Sequence, residues 1–147
     1  MHFIGIDPGV SGAMSILHPN GSVECIPFDK ANYMNALAAL PAGEAFCILE
    51  KVGAMPHQGV TSMFTFGQNF GWIEGILDCL GIPYQLVLPR GWKKTFSVTA
   101  DKNSSITVAQ RLFPRVDLRR TERSRKPDDN IAESLLMAMY GKRLYKE

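Results

Sequence analysis

The apolar positions along the chain follow two periods, and the change from one to the other divides it into strands and helices. His2 to Ile6 is a short apolar run read as a buried strand, and Asp7-Pro8-Gly9-Val10-Ser11-Gly12 has turn chemistry before a second run, Ala13 to Leu17. Pro19-Asn20-Gly21 is a hairpin turn leading into Ser22 to Phe28, so three antiparallel strands open the fold. Residues 31 to 40 read as a short helix ended by Pro41 and Gly43, and Ala45 to Val52 is an apolar run carrying the acid Glu50. Gly53 to Gly59 is a loop. Met63, Phe66, Phe70, Ile73, Leu77 and Leu80 then recur at spacings of three and four, which predicts a long helix with that stripe turned inward and a stop at Gly81. Ile82 to Leu88 is a fifth strand. Two more helices follow, Ala100 to Phe113 with Asp101 as cap and Asp128 to Leu144 with apolar residues at 131, 135, 136 and 139, joined by a loop over 114–127. This order predicts an α/β fold: a five-stranded mixed sheet, three antiparallel N-terminal strands plus two further ones, flanked by helices.

Length and composition narrow the class. At 147 residues, 46% hydrophobic and 20% charged, without internal repeats, the sequence describes one globular domain over 1–147 rather than a disordered chain. The apolar N-terminus is broken by Asp7 and Pro8 before it reaches the length of a signal-peptide core or a membrane span, so a cytoplasmic protein with no membrane partner is expected. Cys25, Cys47 and Cys79 are odd in number and far apart, which points to reduced thiols rather than a disulfide framework or a zinc site.

The net charge of +2 conceals an asymmetry. Residues 90 to 126 hold eleven basic side chains (Arg90, Lys93, Lys94, Lys102, Arg111, Arg115, Arg119, Arg120, Arg123, Arg125 and Lys126) against the three acids Asp101, Asp117 and Glu122, while the rest of the chain is mildly acidic. Such a surface attracts a polyanion and makes its binding salt-dependent; the plainer reading is a solvated charged face.

Against that background four acids stand out. Asp7 ends an otherwise apolar strand, where an ionised carboxylate is costly unless paired or bound to a metal, and Glu50 is placed the same way. On adjacent strands the two would emerge at one edge of the sheet. Asp129 and Glu133, four apart, lie on one face of the last helix. A carboxylate set of this kind suits Mg²⁺ or Mn²⁺, and two such ions about 3.5 to 4 Å apart serve phosphodiester hydrolysis. Each acid also has a plainer role: Asp7 as turn former before Pro8, Glu50 as an edge-strand solubiliser, Asp128 or Asp129 as helix N-caps. Gly67 and Gly71 leave a smooth strip on the long helix, for close packing on the sheet or on a partner subunit.

These residues carry a resemblance. Phe3-Ile4-Gly5-Ile6-Asp7-Pro8-Gly9, Ile48-Leu49-Glu50-Lys51-Val52, Leu88-Pro89-Arg90-Gly91-Trp92-Lys93-Lys94 with Ala100-Asp101-Lys102, and Asp128-Asp129-Asn130-Ile131-Ala132-Glu133-Ser134 together resemble the RuvC family of Holliday junction resolvases, particularly its compact phage-type members. The resemblance implies an RNase H-like fold and a homodimer that makes paired metal-dependent nicks in branched DNA, without a small-molecule cofactor. It also implies a metal site of Asp7, Glu50, Asp129 and Glu133, with Lys93, and less directly Lys102, near the scissile phosphate. Many members carry Asp-x-x-Asp on the last helix; here the final acid is Glu133 and the residue three before it is Asn130. Asp129 is therefore the first choice for the third ligand and Asp128 the second, because five residues place Asp128 about 140° away around the helix.

The basic residues Arg90, Lys93, Lys94, Lys102, Arg119, Arg120, Arg123, Arg125 and Lys126 are candidate DNA contacts. In the family the loop after the catalytic glutamate engages the junction core, which makes Met55 and His57 candidate wedges; the plainer reading is a surface loop. Phe64, off the apolar stripe, is a candidate for base stacking. Two other functions compete. An actin-like phosphotransferase also uses Asp-x-Gly before a hairpin, but it needs a second domain and a Gly-rich adenosine loop. A branched-DNA-binding module without catalysis would keep the basic surface and leave the four acids to accident.

Overall fold

The computed structural model describes residues 1–52 and 59–145. β1 (His2–Asp7) and β2 (Ala13–Leu17) pair antiparallel, as do β2 and β3 (Val23–Pro27). The chain then crosses through α1 (Lys30–Ala38) to β4 (Ala45–Glu50), parallel to β1, and through α2 (Val60–Cys79) to β5 (Tyr84–Val87), parallel to β4. The sheet order is β3-β2-β1-β4-β5. α3 (Pro89–Thr95), α4 (Lys102–Leu112) and α5 (Asp129–Leu144) complete the chain. This is the expected five-stranded mixed sheet flanked by helices. Among the described residues no helix is long and apolar enough to cross a membrane.

Strand alternation divides the core in two. Ile4, Ile6, Met14, Ile16, Cys47 and Leu49 face α1 and α2, meeting Tyr33, Leu37, Ile73 and Leu77. Phe3, Leu17, Ile48 and Val87 face the other way, against Trp92 of α3, Val108 and Ala109 of α4, and Ile131 and Leu135 of α5. α5 lies directly on β1, and a Cβ on Gly5 would fall 2.2 Å from the Ser134 carbonyl oxygen, so only glycine fits. The Ser15 and Ser134 hydroxyls, both buried, bond at 2.7 Å and satisfy each other across the same interface.

Several boundaries differ from expectation for local reasons. α1 starts at Lys30 because Asp29 caps it by accepting from the Asn32 amide, and it closes two residues before 40. β5 is shorter than 82–88. Residues 89–95, to which the sequence pattern assigns no element, form α3, with Pro89 in the first helical turn where its missing N–H costs nothing. Asp101 caps α4 as expected, accepting from the Asn103 amide. The apolar stripe of α2 turns inward only in its second half: Ile73 and Leu77 are buried, whereas residues 60–65 are exposed throughout, Met63 included. Periodicity marks the face of a helix, but burial also needs a neighbour beneath it.

Candidate metal centre

Register and alternation place the first two acids together. β1 and β4 run parallel with Ile6 opposite Leu49, so one further step sets Asp7 beside Glu50 at the carboxyl ends of both strands. Asp7 shares a face with Phe3 and Gly5, and Glu50 shares one with Phe46 and Ile48, which is the face α5 covers. α5 brings Asp129 in its first turn and Glu133 one turn later. Four carboxylates thus meet at one corner from β1, β4 and α5.

α3 adds two partners. Trp92, fully buried, donates its indole N–H to Glu50 Oε2 at 2.6 Å, and Lys93 Nζ lies 3.5 Å from Glu133 Oε1. Lys93 was anticipated; Trp92 as the hydrogen-bond partner of Glu50 was not. The two residues are 42 apart in sequence, and only the hint of an indole beside two lysines pointed there. Replacing Trp92 by Phe is expected to destabilise the protein by about 2 kcal/mol, because a buried charge-assisted hydrogen bond is lost and Glu50 keeps its burial. Urea unfolding measures it, and an unchanged midpoint would exclude the bond as a stabilising contact.

The corner is electrostatically strained. Burial first, then the charges of Glu50, Glu133 and Asp129, push the Asp7 carboxyl up to about 8, with Lys93 opposing. Burial also raises Glu50, against the Trp92 hydrogen bond and the Lys93 charge, and raises Glu133 with Lys93 again opposing. One lysine set against four acids would leave an excess of negative charge in a partly dry site if all four were ionised. An all-oxygen donor set with that excess fits a hard divalent cation. Among the described residues no three His, Cys, Asp or Glu side chains are grouped closely enough to hold a metal ion, so the acids share a corner without forming a cage.

Asp128 has a different task. It is the N-cap of α5, its carboxylate accepting from the Asn130 and Ile131 amides, and it lies 3.7 Å from Arg120. Asp129 is one of the three acids whose charges raise Asp7; Asp128 is not.

The expected DNA-contacting cations separate into free and engaged groups. Arg90, Lys94, Lys102, Arg123, Arg125 and Lys126 are exposed. Arg119 is tied to Asp117 through Nη2 at 2.8 Å and Nε at 3.0 Å, which holds the Asp117 carboxyl down to about 2, and its Nη1 donates to the Glu122 carbonyl. Arg120 donates to the carbonyls of Ser11 and Gly12. These two arginines therefore brace the protein, a role that charge counting cannot distinguish from phosphate binding. Phe64 projects from α2 with 66% of its surface exposed. Met55 and His57 lie outside the described residues.

No protein-family model matches the sequence, and no curated protein sequence matches it. Among solved structures, Thermus thermophilus RuvC in complex with Holliday junction substrate superimposes with a TM-score of 0.68 at 13% identity, over 98% of this chain and 96% of that one. A second structure of Thermus thermophilus RuvC gives a TM-score of 0.54 at 13% identity, over 97% and 96% of the two chains. Strand order, layers and flanking helices together give this chain the RuvC fold.

Proposed function

We propose that the protein is a metal-dependent endonuclease of branched DNA, with the four-way junction as its substrate class. The observation that carries this reading is the corner of Asp7, Glu50, Asp129 and Glu133, whose mutual repulsion Lys93 alone does not balance. Those four acids would hold Mg²⁺, with Mn²⁺ able to substitute, as two ions. The metal when bound would supply Lewis-acid polarisation of the phosphodiester and an activated water.

The chain's own residues define the rest. Trp92 fixes the Glu50 carboxylate through one of its two oxygens, Oε2. Lys93, only partly exposed, stands where a scissile phosphate would meet the acids, and releasing Glu133 would free its ammonium for that phosphate. Arg90, Lys94, Lys102, Arg123, Arg125 and Lys126 supply the electrostatic surface that tracks the DNA backbone. Phe64 offers an exposed ring for an unstacked base. A homodimer accords with a two-fold symmetric junction, and Gly67 and Gly71 favour α2 as its contact, since among the described residues nothing packs within 4 Å of a Cβ built on either.

Cleavage of a labelled synthetic four-way junction, beside a linear duplex of the same arm sequence, tests the proposal. Paired nicks confined to the junction, requiring Mg²⁺ or Mn²⁺ and abolished by EDTA, are expected. Tight junction binding without cleavage in any metal would leave a binding module, and indifference to DNA would refute both.

A further inference from the structure

We infer that Arg120 is a positioning residue that holds the two halves of the acid corner in register, rather than a DNA contact. For its consequence in cleavage this rests on the metal-nuclease reading; for its architecture it does not.

One planar guanidinium touches both halves. Nη1 donates to the Ser11 carbonyl at 2.8 Å and Nη2 to the Gly12 carbonyl at 3.1 Å, in the turn that follows Asp7. Nη1 also lies 3.7 Å from Asp128 Oδ2, the N-cap carboxylate immediately before Asp129. The turn has little freedom to move independently of Asp7: a Cβ on Gly12 would fall 1.9 Å from the Asp7 carbonyl oxygen, and the Gly12 carbonyl also accepts from the Phe28 amide. The other end is equally fixed, because the Asp128 carboxylate caps the Asn130 and Ile131 amides and the Asp128 amide donates to the Leu118 carbonyl at 2.7 Å.

The segment carrying Arg120 is itself braced. Arg119 and Pro127 form an antiparallel bridge, and the Ser124 amide returns to the Thr121 carbonyl, closing a tight turn at the tip. The tip presents Arg123, Arg125 and Lys126 to solvent, while both terminal nitrogens of Arg120 are turned to protein acceptors. A lysine ammonium is a single point and does not span two carbonyls and a carboxylate with the geometry of a guanidinium. The basic loop is thereby tied through Arg120 to the turn that follows Asp7 and to the cap that precedes Asp129.

Two measurements on Arg120→Gln and Arg120→Lys test this, with Arg125→Gln as comparator. Amide hydrogen exchange of the DNA-free protein is expected to quicken about tenfold at Gly12, Phe28 and Ala132 in Arg120→Gln, with a smaller increase in Arg120→Lys; unchanged exchange at Gly12 and Phe28 in both variants would overturn the inference. If the glutamine variant does not fold, the lysine variant decides by the same readout. In junction cleavage, the Mg²⁺ concentration for half-maximal rate is expected to rise about tenfold in Arg120→Gln while junction affinity stays within about twofold. Arg125→Gln should instead weaken the junction and leave the metal requirement alone. An Arg120→Gln variant that behaves like Arg125→Gln would make Arg120 a DNA contact and overturn the assignment. Should the wild type cleave no DNA in any metal, the proposed function fails, and the exchange measurement still decides whether Arg120 joins the two halves.

Discussion

Asp7→Asn is expected to reduce cleavage by about a thousandfold, the scale of several kcal/mol of lost transition-state stabilisation, while making the metal-free protein more stable. The two effects share a cause. Burial and three neighbouring acids hold the Asp7 proton affinity up, to about 8 from the ordinary 3.8. A carboxyl raised on folding contributes stability that is fully present below its unfolded value and is lost as pH climbs through its folded one. The metal-free wild type should therefore lose stability between about pH 4 and 8, by several kcal/mol at about 1.4 kcal/mol per tenfold change in proton affinity. Glu50 and Glu133, also raised, act in the same direction. Asparagine has no proton to lose, so the slope flattens and the variant should melt roughly 5–10 °C above wild type at pH 8. Adding Mg²⁺ should stabilise the wild type and leave the variant nearly unmoved. Scanning calorimetry at pH 5 and pH 8 in EDTA settles it: a variant less stable than wild type at pH 8 would mean the acids do not repel.

Gly5→Ala should destabilise the fold sharply by adding one methyl group. Its Cβ would sit 2.2 Å from the Ser134 oxygen and 2.4 Å from the Ala138 nitrogen, both main-chain atoms of α5 that no rotamer change can move. Overpacking of flexible side chains costs about 1–3 kcal/mol, and a backbone clash in the central strand belongs at or above the top of that range. Against a total stability of about 5–15 kcal/mol, a melting point roughly 10 °C lower is expected. The displaced helix carries Asp129 and Glu133 with it, so cleavage should fall further than the folded fraction. Gly75→Ala is the contrast. That glycine sits in the helix α2 with nothing within 4 Å of a built Cβ, and alanine there should stabilise by about 0.5–1 kcal/mol. Equal melting points for the two variants would contradict the packing of α5 on β1.

Asp7 and Glu50 were legible in the sequence because a charge at the end of an apolar strand conflicts with its surroundings, and that conflict is visible without coordinates. Their adjacency was legible only conditionally, since it required β1 and β4 to be neighbours. The choice between Asp128 and Asp129 turned on where α5 begins, and the cap geometry places Asp128 outside the helix. α3 escaped notice because seven residues are too few for periodicity to register; Pro89 after Leu88 was the available signal. Arg119 and Arg120 were counted with the DNA-facing cations because a sequence records a charge but not the acceptor it meets, here Asp117 two residues away and a turn more than a hundred residues away. The outward half of α2 was misjudged for the same kind of reason, its period being that of a buried helix.

α5 covers β1 and also carries two of the four acids. During synthesis this links the closing of the sheet to the assembly of the acid corner. A nascent chain that has emerged only as far as residue 127 has the strands, Asp7 and Glu50, but half the acid set and an uncovered central strand. The acid set is completed in the same event that covers the central strand, so a chain cut before α5 would lose its fold and its acid corner together.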